Sequence, residues 1–515
     1  MNTKVRTRFA PSPTGPLHMG GVRTALFAFL FAKKHQGDFL LRIEDTDQNR
    51  YVAGAEEYII EALRWCGIQI DEGVPVGGPH EPYRQSERKQ LGIYSKYAEQ
   101  MVASGHAYYA FDTAEDLEHM RNRLISAGEV APQYNGTSRN SMSNSLTLSA
   151  EEVKSKLETA VPFVIRLKMP LGEDVTFTDI IRGEVSVNSS LIDDKVLLKS
   201  DGMPTYHLAH IVDDVLMEIT HAIRGEEWLP SAPAHILIYR YLGWEDKMPQ
   251  YAHLPLLLKP DGNGKLSKRD GDRLGFPVFP LNWTDPATGE VSSGYRERGY
   301  YPEAFVNMLA LLGWNSGTEQ EIFSMDELIN SFSFEHVHKS GARFDPEKTK
   351  WFNEQYLRTQ PVNELALRLK DVVLKQFNIS TNDRRISEKF LHRAVELLKD
   401  RVQFESEFSE KGIYLFVAPV EYDPTVITKK WKPELLSFFK ELVLALNVIS
   451  EFKIADIDAT IKATAASKQI KPGEIMQLLR VLISGQGGGV DLLGMMELLG
   501  KDEVIQRLEK ALLQF

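Results

Sequence analysis

The sequence predicts an α/β domain built on a parallel sheet and interrupted by an α+β insertion, followed by an all-helical C-terminal region. Three observations lead to this fold class. Short apolar strand patterns alternate with helix patterns over the first hundred or so residues, which is typical of βαβ units. The composition becomes polar over residues 112–194, and the alternation then resumes. Beyond about Trp314, apolar residues recur at helical spacing.

The first strand–helix unit lies at the N-terminus. Residues 5–10 form a short strand pattern, which stops at a Pro-Ser-Pro-Thr-Gly-Pro loop over residues 11–16. A helix pattern follows over residues 20–35, and a second strand and helix pattern covers residues 39–43 and 58–65. Strands that alternate with helices in this way are expected to pair in parallel.

The polar stretch over residues 112–194 is predicted to be an insertion into the α/β domain. It begins with a polar helix pattern at 115–127 and a Ser/Asn/Thr-rich stretch at 137–149. Three strand-like pieces follow, at 163–168, 175–181 and 184–187. Strand and helix patterns resume over residues 195–258, which predicts a second half of the same domain.

The C-terminal third is predicted to be helical. Apolar residues recur at helical spacing in one segment, namely Phe390, Leu391, Ala394, Val395, Leu398 and Val402. Pro433 stands where a first helical turn tolerates proline. The predicted division of the chain is 1–111 and 195–314 for the two halves of the α/β domain, 112–194 for the insertion, and 315–380 and 381–515 for two helical domains.

Composition excludes several classes of protein. Cys66 is the only cysteine among 515 residues, so an internal disulfide is excluded and a reducing, cytoplasmic compartment is expected. The longest purely apolar run, residues 25–32, is far shorter than the ~20 residues that span a bilayer. The net charge of −11 excludes a wholly basic nucleic-acid coat, although a local basic surface for RNA on an acidic body stays open.

The first motif is the loop that precedes the first predicted helix, with His18, Gly20 and Gly21 at its end. Small residues let a ligand approach the backbone, and a helix N-terminus offers free N–H groups to a phosphate. An imidazole at His18 can donate a hydrogen bond to phosphate oxygens. The alternative interpretation is a Pro/Gly loop that only ends a strand.

The second motif is Lys265-Leu-Ser-Lys268-Arg269 on a Gly-rich loop. Two lysines three positions apart can hold phosphates as charge builds up in a transition state. The alternative is a solvated surface loop, which is the commoner origin of a single lysine-rich pentamer.

Together the two motifs resemble those of the class I aminoacyl-tRNA synthetases. Further stretches narrow the resemblance to the glutamyl-tRNA synthetases, and they occur along nearly the whole chain: RFAPSPTG at 8–15, RIEDTD at 42–47, GGPHEPYRQS at 77–86, PTYHLA at 204–209, IRGEEW at 223–228, RFDPEK at 343–348 and KPGEIM at 471–476. Each stretch alone is a weak signal, whereas their number and order are highly specific.

The resemblance implies a Rossmann-type catalytic domain, with the insertion binding the acceptor end of tRNA. It further implies that residues 315–380 contact the tRNA stem and that residues 381–515 bind the anticodon. The implied reaction joins glutamate and ATP, accompanied by Mg²⁺, into glutamyl-adenylate, and then transfers glutamate to the terminal adenosine of tRNA(Glu). Family members generally need tRNA for activation. A monomer without a membrane partner is expected.

The resemblance also implies roles for individual residues. Arg8 and Arg224 match residues that hold the substrate carboxylates, for which a guanidinium is well suited. Glu44 would accept from the substrate ammonium, and Ser12 and Tyr206 would add neutral hydrogen bonds. The residues implied to bind ATP are His18, Gly20, Trp228 and Lys268, and those implied to act in catalysis are His18, Lys265 and Lys268.

Two features depart from the family. Many members hold zinc with cysteines just after the segment that matches residues 107–111, whereas no cysteine stands there, so no zinc site is predicted. The connection over residues 272–298 is longer than usual and rich in Gly, Pro and Thr, and it is predicted to be a surface insertion.

Three alternatives stay open. The enzyme could charge tRNA(Gln) as well as tRNA(Glu). A glutaminyl enzyme is disfavoured, because such enzymes usually carry a β-barrel anticodon module. A non-catalytic paralogue is disfavoured too, because His18, Lys265 and Lys268 are all present.

Overall fold

The computed structural model describes residues 4–515, except for the side chains of Lys268 and Asp272. These residues form two compact units, of which the first comprises 4–298 and 302–349 and the second 299–301 and 350–515. Within the described residues, no helix is long and apolar enough to cross a membrane.

The strands all lie in the first unit. In chain order they are β1 (Arg6–Phe9), β2 (Asp38–Leu41), β3 (Glu72–Gly73), β4 (Ala107–Ala110), β5 (Val164–Leu167), β6 (Asp174–Asp179), β7 (Gly183–Asn188), β8 (Val196–Leu198), β9 (His221–Gly225), β10 (Gln250–Leu254), β11 (Leu257–Leu258), β12 (Trp283–Thr284), β13 (Val291–Ser292) and β14 (Ala342–Arg343), for the part of the chain that the structure describes.

The helices occur in both units. In chain order they are α1 (Met19–Lys34), α2 (Ala55–Trp65), α3 (Gln85–Lys89), α4 (Ile93–Ala103), α5 (Ala114–Ser126), α6 (Ala150–Glu158), α7 (Tyr206–Leu216), α8 (Ala232–Tyr241), α9 (Lys268–Leu274), α10 (Pro302–Leu311), α11 (Met325–Ser331), α12 (Pro346–Thr359), α13 (Val362–Gln376), α14 (Glu388–Leu398), α15 (Glu407–Lys411), α16 (Ile413–Phe416), α17 (Pro424–Lys430), α18 (Leu435–Asn447), α19 (Ile454–Ser467), α20 (Pro472–Ser484), α21 (Leu492–Leu499) and α22 (Lys501–Leu512).

The main sheet joins the two halves of the predicted α/β domain. Its strand order is β3-β2-β1-β9-β10-β6-β7, and every neighbouring pair is parallel except β6–β7. Strand β1 leads to β2 on one side, whereas β9 leads to β10 on the other. A sheet whose order reverses in this way opens a crevice at the carboxyl ends of the two central strands, which is where ligands of such sheets bind.

The β6–β7 hairpin lies within the residues predicted to be the insertion, yet it completes the main sheet. Alternate residues of β6 are buried, namely Val175, Phe177 and Asp179. The alternation is a strand signal, but it does not specify which strand becomes the neighbour. The remaining strand of the predicted insertion, β5, forms a separate antiparallel sheet with β4 and β8, which precede and follow the predicted insertion in the chain.

The prediction that the segment 272–298 is a surface insertion is wrong, because the segment packs into the first unit. The strands β12 and β13 form a short hairpin, but the segment also contributes buried side chains, namely Phe276, Val278, Phe279, Leu281, Trp283 and Tyr295. The Tyr58 hydroxyl donates to the Leu281 carbonyl at 2.6 Å. The Gly, Pro and Thr residues concealed this packing in the sequence, because the apolar residues between them follow neither helix nor strand spacing.

The second unit has a helical core of its own. The predicted apolar positions Phe390 and Leu398 of α14 are both buried there. Buried residues of α18 and α20, such as Phe439 and Leu482, belong to the same cluster. The predicted fold class, a Rossmann-type α/β domain followed by a helical region, is therefore confirmed.

Candidate active site

A cavity of about 370 Å³ opens at the carboxyl ends of β1 and β9. Its walls come from both halves of the sheet, because the loop after β1 faces the loop after β9. Of the residues predicted for substrate binding, the following line it: Arg8, Ser12, Gly20, Glu44, Tyr206, Arg224 and Trp228. The cavity is thus placed where the reversal of strand order predicts a ligand.

Arg8 is held from below by a buried carboxylate. Its Nε and Nη2 donate to Asp214 at 3.0 and 3.1 Å, and both residues are almost fully buried. Arg42 donates to the same carboxylate at 2.8 Å. Burial raises the pKa of Asp214, but the two guanidinium groups outweigh it and hold that pKa far below its usual range. Asp214 therefore stays ionised and fixes the plane of Arg8.

Glu44 lies beside this pair and is also buried. It accepts a hydrogen bond from Arg42 Nη2 at 2.8 Å. Burial raises the pKa of Glu44, and Arg42 lowers it only in part. A cationic group entering the cavity would favour the ionised carboxylate, so the geometry suits an ammonium ion.

Tyr206, Arg224 and Trp228 form the opposite wall. The Arg224 Nη1 atom donates to the Tyr206 hydroxyl at 3.0 Å, and the Tyr206 ring lies against Trp228 with centroids 4.2 Å apart. Trp228 is 37% exposed, so it is not a core residue and one part of its ring is available to a ligand.

His18 is the N-cap of α1. Its Nδ1 accepts from the Gly20 N–H at 3.1 Å, so the proton of the neutral ring is on Nε2. Burial, with a further contribution from Lys265, lowers the pKa of His18 to about 4. Nε2 is buried without a hydrogen-bond partner among the described residues. A buried N–H donor of this kind is costly unless a ligand accepts from it.

The segment 276–283 supports His18 from behind. The Phe279 ring approaches the imidazole edge-on, with centroids 6.1 Å apart. The carbonyl of Val278 accepts from the Met19 N–H at 2.8 Å and thereby satisfies an N–H group of the first turn of α1. The ring contact with Phe279 and the hydrogen bond from the Gly20 N–H together orient the imidazole.

The two lysines of the loop differ in what the structure describes. Lys265 is exposed and forms an ion pair with Glu227 at 3.0 Å, beside the cavity wall. Lys268 is the first residue of α9, but its side chain lies outside the described part of the structure. The contact of Lys268 with ATP therefore stays a prediction.

Two family models match the chain and indicate which family of enzymes this cavity belongs to. A family model described as tRNA synthetases class I (E and Q), catalytic domain, matches residues 4–351. The chain belongs to the class I tRNA synthetases for glutamate and glutamine. A second model, described as an anticodon binding domain, matches residues 364–512 of this synthetase.

Individual relatives are similar over their full length. A glutamate–tRNA ligase of Cytophaga hutchinsonii is 54% identical over 99% of this synthetase and 98% of its own chain. One from Parabacteroides distasonis is 52% identical over 99% and 98% of the two chains. The crystal structure of a glutamate tRNA ligase from Elizabethkingia meningosepticum, in complex with its amino acid, has a TM-score of 0.92, is 50% identical and covers 99% of each chain.

Sequence reasoning missed several residues of this synthetase that support the cavity. Asp214 fixes Arg8, and His253 and Asp179 lie behind Arg224. Two consecutive aspartates follow Ile211 and Val212 in an apolar helix pattern, but aspartate is rarely buried, so the sequence alone did not indicate the role of Asp214. Nothing near His253 in the sequence indicates its partner.

We expect His18→Asn to separate the two roles of His18, which caps α1 through Nδ1 and offers a hydrogen-bond donor at Nε2. An asparagine at the N-cap still accepts from the Gly20 N–H, so the melting temperature should change little. It cannot donate at the Nε2 position, so adenylate formation should fall by about ten- to a hundredfold. His18→Ala serves as the comparison, since it should lower both the rate and the melting temperature. Equal rates for the wild type and the asparagine variant would contradict the proposed contact.

Proposed function

We propose that this synthetase is a glutamate–tRNA ligase, which activates glutamate with ATP and transfers it to the terminal adenosine of tRNA(Glu). The observation that carries the proposal is the pair of buried guanidinium groups, Arg8 and Arg224, on the wall of one cavity that Glu44 also lines. This combination of charges complements an amino acid with two carboxylates. The relatives of similar length and about 50% identity, all named glutamate–tRNA ligases, support the same conclusion.

Glutamate is proposed to bind between the two walls of the cavity. Arg8 donates from Nε and Nη2 to Asp214, and among the described residues its Nη1 has only a long contact of 3.5 Å with the Ile223 carbonyl, so Nη1 is the nitrogen proposed to meet a substrate carboxylate. Arg224 and the Tyr206 hydroxyl face the other carboxylate, while Glu44 and Ser12 receive the ammonium group. If glutamine bound in place of glutamate, a buried guanidinium group would lack its carboxylate partner. The site should therefore favour glutamate by about tenfold to a few hundredfold per contact.

ATP is proposed to bind next to the start of α1. Gly20 lines the cavity at this point, and its N–H donates to His18 Nδ1. His18 Nε2 and the two lysines of the loop would meet the phosphates, and Trp228 would lie along the nucleotide. Mg²⁺ would enter with ATP as part of that substrate.

The first step proposed for this site needs no general base. An oxygen of the substrate α-carboxylate attacks the α-phosphorus of ATP and pyrophosphate leaves. A hydroxyl of the terminal adenosine of tRNA then attacks the acyl carbon, AMP leaves, and the hydroxyl proton passes to the departing phosphate. Because the first nucleophile is already ionised, catalysis consists of positioning both substrates and stabilising charge on the phosphates. Those are the tasks proposed for His18, Lys265 and Lys268.

The remaining regions are proposed to bind tRNA, with residues 112–194 at the acceptor end, 315–380 at the stem and 381–515 at the anticodon. The match of residues 364–512 to an anticodon binding domain supports the last of these. One cavity of the helical unit is lined by more lysines than glutamates, namely Lys429, Lys430, Lys432 and Lys468 against Glu434 and Glu474. These lysines provide a local basic surface on a chain of net charge −11, so tRNA affinity should fall with salt. A cytoplasmic monomer is proposed as well.

The experiment that tests this function is the charging of purified tRNA(Glu) and tRNA(Gln) with labelled glutamate, ATP and Mg²⁺. Charging of tRNA(Glu) alone would establish a discriminating ligase. Charging of both would establish a non-discriminating ligase, whose glutamyl-tRNA(Gln) would require a later amidation. Charging of neither tRNA, beside an active control enzyme, would contradict the proposal and favour a binding paralogue.

A further inference from the structure

Arg224 is bound by neutral groups, although it is 5% exposed and carries a charge. Its Nε donates to His253 Nε2 at 3.0 Å and its Nη1 donates to the Tyr206 hydroxyl, while Nη1 and Nη2 each lie 3.4 Å from His235 Nδ1. Its guanidinium carbon also lies 4.8 Å from the centroid of the Tyr251 ring. In the part of the chain that the structure describes, Arg224 forms no ion pair with a carboxylate. A buried cation without a direct counterion is costly, so its partner is expected to be the substrate.

The bond from Arg224 fixes the state of His253. Since Nε of arginine can only donate, His253 Nε2 must be the acceptor, and the ring proton must lie on Nδ1. Nδ1 is 2.7 Å from Asp179 Oδ2, which accepts that proton. Burial is the largest influence and lowers the pKa of His253, so the ring is neutral at pH 7. Both contacts require the same tautomer, with Arg224 at Nε2 and Asp179 at Nδ1 of His253.

Asp179 is itself fixed on all sides. Its Oδ2 also accepts from the His253 N–H at 3.0 Å, and its Oδ1 accepts from the N–H groups of Ile181 and Arg182 at 2.9 and 2.8 Å. These are the residues of the turn between β6 and β7. The hairpin from the predicted insertion thus provides a rigid anchor for the residues behind the cavity.

We propose that Asp179 and His253 are positioning residues that hold the Arg224 guanidinium in the orientation required by the substrate carboxylate. The inference rests on the proposed function, in which Arg224 binds glutamate. The arrangement contrasts with that of Arg8, which a carboxylate contacts directly. A neutral imidazole between Asp179 and Arg224 orients the guanidinium without neutralising it, so its charge remains available for glutamate.

Two substitutions at His253 separate this role from a purely structural one. His253→Gln places an amide oxygen near the position of Nε2, so it can still accept from Arg224. His253→Asn places its amide near Nδ1, so it keeps the bond to Asp179 but has nothing that reaches Arg224. We expect the asparagine variant to raise the KM for glutamate about tenfold, with the kcat and the KM for ATP nearly unchanged. The glutamine variant should stay within about threefold of the wild type.

The measurements are steady-state charging of tRNA(Glu) over a range of glutamate concentrations and a melting temperature for each variant of the full chain. If the asparagine variant does not fold, His253→Phe replaces it, because phenylalanine fills the ring volume without an acceptor. A glutamate KM within twofold of the wild type in the asparagine or phenylalanine variant would overturn the proposal. An equal defect in the glutamine and asparagine variants would also overturn it.

A double-mutant cycle with Arg224→Lys distinguishes failure of this inference from failure of the proposed glutamate site. Lysine has no Nε–H for His253, so His253→Asn should add little to the defect of Arg224→Lys. Fully additive effects would show that His253 acts independently of Arg224 and would overturn the inference alone. An unchanged glutamate KM in Arg224→Lys would overturn the proposed glutamate site, and the inference with it.

Discussion

Replacing Lys268 with alanine is expected to lower the rate of glutamyl-adenylate formation by about a hundred- to a thousandfold. No general base is required for a carboxylate that is already ionised, so the rate depends on stabilising the charge that develops on the phosphates. Lys268 begins α9, directly after Ser267, whose side chain forms a capping box with Asp270. This cap fixes the backbone from which the Lys268 side chain extends. The measurement is pyrophosphate exchange in the presence of tRNA.

Arg273→Ala is the matched control for this substitution. Arg273 lies on the same helix, is exposed and carries the same charge, but it is not among the residues proposed to bind substrate. Its loss should leave the exchange rate within about twofold of the wild type, as expected for a surface side chain. Binding of tRNA(Glu) should be near normal in both variants. An unchanged exchange rate in Lys268→Ala would refute the assigned role.

The fold class follows from the sequence to a large extent, because local patterns specify local structure. The strand pattern at residues 5–10 and the helix pattern at 20–35 correspond to β1 and α1 within one or two residues. Such local patterns do not specify which strands pair with each other. The period-2 pattern of β6 predicts a strand with one buried face, but it does not distinguish the main sheet from a separate one.

The sequence predicted the cavity residues that are proposed to contact a ligand. It did not predict the residues that hold those side chains in place. Arg8, Glu44 and Arg224 stand in stretches whose order along the chain resembles that of a family. Asp214 and His253 act through contacts between distant segments, and such contacts have no local signature. The residues that orient the substrate-binding side chains therefore emerged only from the folded chain.

Asp214→Asn is expected to destabilise the first unit by about 3–5 kcal/mol. The substitution conserves size but removes the charge shared by Arg8 and Arg42, so Arg8 would lose its buried counterion, while Arg42 would keep its ion pair with Glu44. Glu158→Gln is the control, because Glu158 forms an exposed ion pair with Lys154, and its loss should cost no more than about 1 kcal/mol. Thermal unfolding of the full chain measures both. A melting temperature of Asp214→Asn equal to that of the control would contradict the expectation.

The loss of stability caused by Asp214→Asn should depend on pH, because only the wild-type carboxylate titrates. The pKa of Asp214 in the folded protein is far below its unfolded value of about 4, because Arg8 and Arg42 favour the ionised form more strongly than burial opposes it. The stability contributed by Asp214 is therefore fully present above about pH 4 and is lost as the pH falls from there toward the folded pKa. Asparagine does not titrate, so the difference in stability between the wild type and Asp214→Asn should be constant from pH 5 to pH 7 and smaller at pH 3. A difference that is as large at pH 3 as at pH 7 would show that the loss arises from altered packing, and that Asp214 does not act through its charge on the two arginines.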